Sequence, residues 1–179
     1  LLSLRHSKGT LMGMTLIEHI EVGSGGASSM EFTGIPQDGV DLVLKFSGRG
    51  SIASVSRFIN VLFNGDTGVN YSYMRLRGDG SAVTSASDAT KSRLEIGLMT
   101  AGSATANTFG SCQTYISNYT SSTVKSVSTD VVTENNATEA YAQVVANTWD
   151  GAAITSINIS TSGNIDQYST ASLYKITAD

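Results

Sequence analysis

The sequence predicts an all-β fold, an antiparallel two-sheet β-sandwich of jelly-roll-like form. Short runs of alternating apolar and polar residues recur along almost the whole chain, the pattern of strands with one buried face. Clusters rich in Gly, Asn, Asp and Ser separate nearly all of them, and these residues favour turns. The composition agrees: 40% hydrophobic, 15% charged, 18 Gly, a single Pro and about a quarter Ser or Thr, a balance suited to many short strands joined by polar turns. A chain of 179 residues is long enough for one domain with a sizeable core. About ten short strands in one compact unit then imply two packed antiparallel sheets.

The pattern begins at about residue 14, so residues 14–179 are read as a single β-sandwich domain and residues 1–13 as an N-terminal arm or extension. The arm, LLSLRHSKGTLMG, has no sustained period and is too short and broken for a transmembrane helix or a signal-peptide core. Its Leu1, Leu2, Leu4, Arg5, Lys8 and Leu11 are the candidate contacts of an assembly element. Ordering such a segment against a neighbour costs about 1–2 kcal/mol per residue in backbone entropy, which those leucines and cations would have to offset.

TLIEHIEV (15–22) reads as the first strand, broken by GSGG at 23–26. SSMEF (28–32) leads to the turn cluster GIPQDG (34–39), which holds the only proline. In DLVLKFSGRG (41–50), Leu42, Leu44 and Phe46 share one face, opposite Val43 and Lys45. SRFINVLFNGD (56–66) places Ile59, Val61 and Phe63 opposite Phe58, Asn60 and Leu62 and ends in an Asn-Gly turn. With both faces partly apolar, this strand is expected deep in the fold.

Six further runs, at 71–78, 92–99, 108–117, 123–132, 154–160 and 171–177, read as strands. AYAQVVANTW (140–149) also suits a helix through its Ala and Gln, but Val144, Val145 and the Thr-Trp end favour a strand. In the closing run, Leu173 and Lys175 oppose Tyr174 and Ile176.

A formal charge of −4 and a pI near 5.1 argue against a nucleic-acid surface, which needs clustered Lys and Arg. The single cysteine, Cys112, rules out an intrachain disulfide framework and reads as a small buried hydrophobe. No catalytic pattern surrounds His6 or His19. His-Glu-x-x-His, Cys-x-x-Cys and EF-hand patterns are absent from the chain, so no catalytic residue, metal ligand or cofactor is assigned. NGDTGVN (64–70) offers oxygens to a calcium ion or is ordinary turn chemistry. The Arg-Gly-Asp at 77–79 reads as a strand end and its turn, and the acceptor tripeptides at 70, 118, 136 and 158 carry little weight in a chain this rich in Ser and Thr. Tyr71, Tyr73, Tyr115, Tyr119, Tyr141, Trp149, Tyr168 and Tyr174 serve packing and subunit contacts or, in part, a sugar-stacking platform.

MEFTGIPQDGVDLVLKFSGR, FNGDTGVNYSYMRLRGDGS, the stretch from Ala106 to Tyr141, and YSTASLYKI together resemble small β-rich virion structural proteins of tailed bacteriophages, notably aquatic phages. The resemblance runs from about Met14 to the C-terminus and omits the arm. It implies a nonenzymatic, oligomeric protein of the virion, assembled in the host cytoplasm: a capsid decoration or cement protein, with a trimer favoured and the major capsid protein or other virion proteins as partners. Its alternative is a tail-fibre or receptor-binding module for host surface glycans. Neither nucleic acid nor membrane is an expected partner.

Overall fold

The computed structural model describes residues 12–135 and 139–178. They form twelve strands: β1 (Met12–Glu21), β2 (Ala27–Phe32), β3 (Asp41–Gly48), β4 (Ser56–Phe63), β5 (Tyr71–Gly78), β6 (Val83–Lys91), β7 (Leu94–Thr100), β8 (Gly110–Ile116), β9 (Lys125–Glu134), β10 (Ala140–Trp149), β11 (Ile157–Ile165) and β12 (Thr170–Ala178). The order in the larger sheet is β1-β12-β3-β8-β9-β10-β5-β6, and in the smaller β2-β11-β4-β7; every ladder within them is antiparallel.

Two hairpins explain the unequal sheets. Without β5–β6 and β9–β10, the orders reduce to β1-β12-β3-β8 over β2-β11-β4-β7, the eight-stranded, double-sheet arrangement of a jelly roll. The hairpins both add to one edge of the first sheet, continuing it from β8 through β9, β10, β5 and β6. The expected two-sheet sandwich is therefore present, extended on one side by four strands.

Alternation decides which faces meet. The inward residues of β9, namely Lys125, Val127, Thr129, Val131 and Thr133, are buried, and each residue between them is exposed. Strand β4 turns Ile59, Val61 and Phe63 into the core. Its other face is only half-buried, with Phe58 exposed, so this strand is central in its sheet but not covered on both sides. Leu42, Leu44 and Phe46 of β3 and Ala171 and Leu173 of β12 join the same core; each large apolar side chain buried there contributes about 1.5–3 kcal/mol.

Strand β7 departs from alternation, buried along almost its whole length because it packs across β8, β9 and β10 of the facing sheet. Gly97 permits that approach. Its φ is 131°, and a Cβ there would lie 2.4 Å from Val131 Cγ2, so the strand can pass over β9 only with no side chain at this point.

Strand β6 is the element that periodicity misses. Its sequence, VTSASDATK, has no buried position, so no apolar alternation marks it; its partner β5 and its place at the sheet edge impose the extended form. Strand β11 runs to Ile165, beyond the polar TSGN (161–164), through an irregularity between Ser160 and Ile165 and a positive φ at Gly163. The stretch open to a helical reading is strand β10. Strand β1 starts at Met12, two residues before the expected domain start, and pairs Met12 with Ala178 and Gly13 with Thr177. The assembly-arm residues Leu1, Leu2, Leu4, Arg5, Lys8 and Leu11 lie outside the described residues.

Candidate functional site

At the end where β4 leads to β5, Asn64 and Gly65 have φ of 53° and 66°, and Asp66 N donates to Phe63 O at 2.9 Å, closing the expected two-residue turn. Asp66 then becomes a hub. Its Oδ1 accepts from Gly68 N at 2.8 Å, and its Oδ2 from Asn70 Nδ2 at 2.9 Å and Trp149 Nε1 at 2.8 Å. Tyr71 donates its hydroxyl to Asp66 O at 3.0 Å. Hydrogen bonds from Asn70 and Trp149 hold the Asp66 carboxyl below its usual pKa. With N–H donors aimed at both oxygens, this loop is built as turn chemistry, not as a calcium cradle. Among the described residues no three His, Cys, Asp or Glu side chains group as metal ligands.

Other polar candidates are similarly committed. Tyr119 donates to Pro36 O and accepts from Gly39 N at 3.1 Å; Tyr115 donates to Asp41, whose other oxygen accepts from Asn118 N at 2.8 Å. The bond to Asp41 is the first cause that pushes the Tyr115 pKa up to about 12. In the Arg-Gly-Asp segment, Asp79 Oδ1 accepts from Ser81 N, Ser81 Oγ and Ala82 N at 2.7–2.9 Å, so Asp79 caps its turn. Cys112 is buried among core residues, and burial pushes its thiol up to about 12, far from the thiolate state that a nucleophile needs. His19 lies exposed, with Nδ1 2.7 Å from Ser172 Oγ. Lys125 was not legible as special in the sequence. It is fully buried, donates to Thr123 O and Gly151 O at 2.6 and 3.1 Å, and lies over the Trp149 ring; burial lowers its pKa.

The outward face of β9, β10, β5 and β6 is different. Register aligns Val132, Ala142, Gly78 and Val83 in one row, Asp130, Val144, Leu76 and Ser85 in the next, and Ser128, Ala146, Met74 and Ser87 in the third. Met74, Leu76, Val83, Val132 and Val144 are each 54–71% exposed, and Asp130 is the one charged residue of these rows. A depression of about 330 Å³ runs among Leu76, Val83, Val132 and Val144.

At the opposite end from Asp66, the β1–β2, β3–β4, β7–β8 and β11–β12 connections surround a cavity of about 440 Å³. Arg49 holds it together. Only 9% exposed, it donates to the carbonyls of Gly102, Ala104, Thr105 and Thr108 at 2.9–3.3 Å and places Nε 3.6 Å from Asp166 Oδ2. One buried guanidinium thus fastens the β7–β8 connection to the β11–β12 turn. Around it, Asn107, Asn164 and Gln167 line the cavity with side chains that make no hydrogen bond among the described residues. Phe109 and Tyr168 supply aromatic surface.

Of the eight aromatics named from the sequence, Tyr71, Tyr73, Tyr119 and Trp149 are buried, while Tyr168 is 64% exposed. They do not gather into one platform. The residues around Tyr168 were missed because they come from four connections far apart in sequence; the one local signal was a tyrosine third in Asp166-Gln167-Tyr168-Ser169, a short turn between two strands. No family model, curated protein or solved structure matches the chain.

Proposed function

We propose that the protein is a nonenzymatic virion structural protein of a tailed bacteriophage, acting as a capsid decoration or cement protein that joins copies of itself and neighbouring shell subunits. The observation that carries this reading is the outward apolar face of the added hairpins, with Met74, Leu76, Val83, Val132 and Val144 exposed in adjoining rows. Contiguous exposed apolar surface of this kind marks interaction sites. Ion pairing offers little alternative, because charged residues are 15% of the chain and the Lys91 and Lys175 ammonium groups already have intrachain carboxylate partners.

Two further points support the assignment. The jelly roll is an architecture used by viral capsid domains as well as by lectins, although fold alone does not determine function. The sequence resemblance to phage virion proteins points the same way and favours a trimer. A nonenzymatic role also suits the chemistry of Asp66 and Asp79, whose carboxylates hold turns, and of Cys112, which is buried.

The test is twofold. Light scattering coupled to size exclusion should give an oligomer for the wild type, and Leu76→Asp or Val144→Asp should shift it to monomer with the strand content unchanged by circular dichroism. A wild-type monomer overturns the preformed oligomer. Imaging of virions carrying a tagged copy then separates the locations: density on the shell supports the decoration role, and density confined to a fibre tip overturns it.

A further inference from the structure

We propose that the cavity lined by Asn107, Asn164, Gln167 and Tyr168 is a binding site for a neutral saccharide. Ser169 N donates to Asp166 O at 3.2 Å, so Asp166-Gln167-Tyr168-Ser169 is a hydrogen-bonded four-residue turn. Tyr168, at its third position, has φ of 68°, a conformation that turns normally give to Gly or Asn. The turn is also tied to the end of β1, by Tyr168 N to Val22 O and Val22 N to Ser169 O, both 2.9 Å. A bulky residue held in the left-handed region calls for a reason. Packing does not supply it, because the side chain is 64% exposed.

The surroundings supply one. Asn107, also at positive φ (62°), joins Asn164 and Gln167 in presenting side-chain amides that no group among the described residues engages, around about 440 Å³ of space. An amide offers a donor and an acceptor together, as vicinal hydroxyls require, and an aromatic ring offers the apolar face on which a pyranose packs. A concave site with a few convergent polar groups is the general form of small-ligand recognition.

Charge narrows the class. The Arg49 guanidinium is directed at four carbonyls and Asp166, so it presents no free cation to a phosphate, sulfate or carboxylate. The ligand it fits is uncharged and rich in hydroxyls. The cavity is lined by the β1–β2, β3–β4, β7–β8 and β11–β12 connections, whereas the apolar face belongs to β9, β10, β5 and β6. Self-association through that face leaves the site open, and the inference does not depend on the virion reading.

Saturation-transfer NMR on the full chain tests it, with the methyl glycosides of glucose, galactose, mannose and N-acetylglucosamine as probes and N-acetylneuraminic acid as the anionic comparison. At least one neutral probe should bind with a Kd of about 1 mM. Tyr168→Gly should weaken that binding about tenfold while leaving the melting temperature unchanged or raised, because glycine suits the turn; Gln167→Ala should weaken binding with no loss of stability. Absence of signal from all four neutral probes overturns the site, as does full binding by Tyr168→Gly. A melting temperature that falls steeply in Tyr168→Gly overturns the reading of the ring as a recognition group. Preference for N-acetylneuraminic acid overturns the neutral-ligand assignment.

Discussion

The two ends of the sandwich use similar residues for opposite purposes. At one end Asp66, Asn70, Tyr71 and Trp149 close on one another, so that the carboxylate, the amide and the indole N–H all have partners. At the other, Asn107, Asn164, Gln167 and Tyr168 surround a cavity, and their side-chain polar atoms make no hydrogen bond among the described residues. Trp149 is 2% exposed and packs edge-on against Phe63 at 5.3 Å, whereas Tyr168 is 64% exposed. Polar aromatic loops therefore stabilise a β-sandwich where their hydrogen bonds close internally, and they are available for recognition where those bonds remain open.

The largest expected effect breaks the closed end. Asp66→Ala removes three acceptor contacts and leaves the buried Trp149 Nε1 without a partner. Orphaned donors and lost charged hydrogen bonds together predict a destabilisation of about 3 kcal/mol, read as a fall of about 10 °C in melting temperature. A change below about 1 kcal/mol in urea unfolding would show that this end is not a stabilising network.

Acid should act on the same group. The folded-state Asp66 carboxyl lies below its ordinary pKa of 3.8, so its contribution is present above the unfolded pKa and is lost as pH falls through the folded one. Asp79, lowered first by the backbone N–H groups of Ala82 and Ser81, and Asp88, lowered first by that of Thr90, act in the same direction. Asp66→Asn should therefore show a shallower decline of stability below pH 3.8 than the wild type. Equal slopes would remove Asp66 from the acid response.

A smaller effect, of opposite sign, is expected at the open end. Tyr168→Gly relieves the positive φ and should raise stability by about 1 kcal/mol; a fall of that size would make the tyrosine structural and erase the contrast between the ends. Smallest of all, Gln167→Ala should change stability by no more than about 0.5 kcal/mol. Comparing these variants with Asp66→Ala in one denaturant series sharpens the division between a closed end and an open one.

Strands β3, β4, β9 and β12 were legible because each has one core-facing row and a period of two, as in the Ile59, Val61 and Phe63 series of β4. The Asn64-Gly65 turn was legible because positive φ restricts residue choice locally. Strand β6 was not: with no buried position it has no apolar period, and hydrogen bonding to β5 alone makes it a strand. Gly97 likewise looked like any glycine in an apolar run, since its role depends on Val131 of another strand.

The sequence by itself determined an all-β chain, its main turns and the burial of Cys112, since these follow from composition and from the alternation of neighbours along one strand. Tertiary structure decided what sequence neighbours cannot encode. The pairing that adds both hairpins to one sheet edge aligns Val132, Val144 and Leu76 on a single outward face. Arg49, reaching carbonyls more than fifty residues away, fastens two connections around one cavity. Period and turn propensity act over a few residues, whereas a face or a cavity exists only after strands distant in sequence have been brought into register.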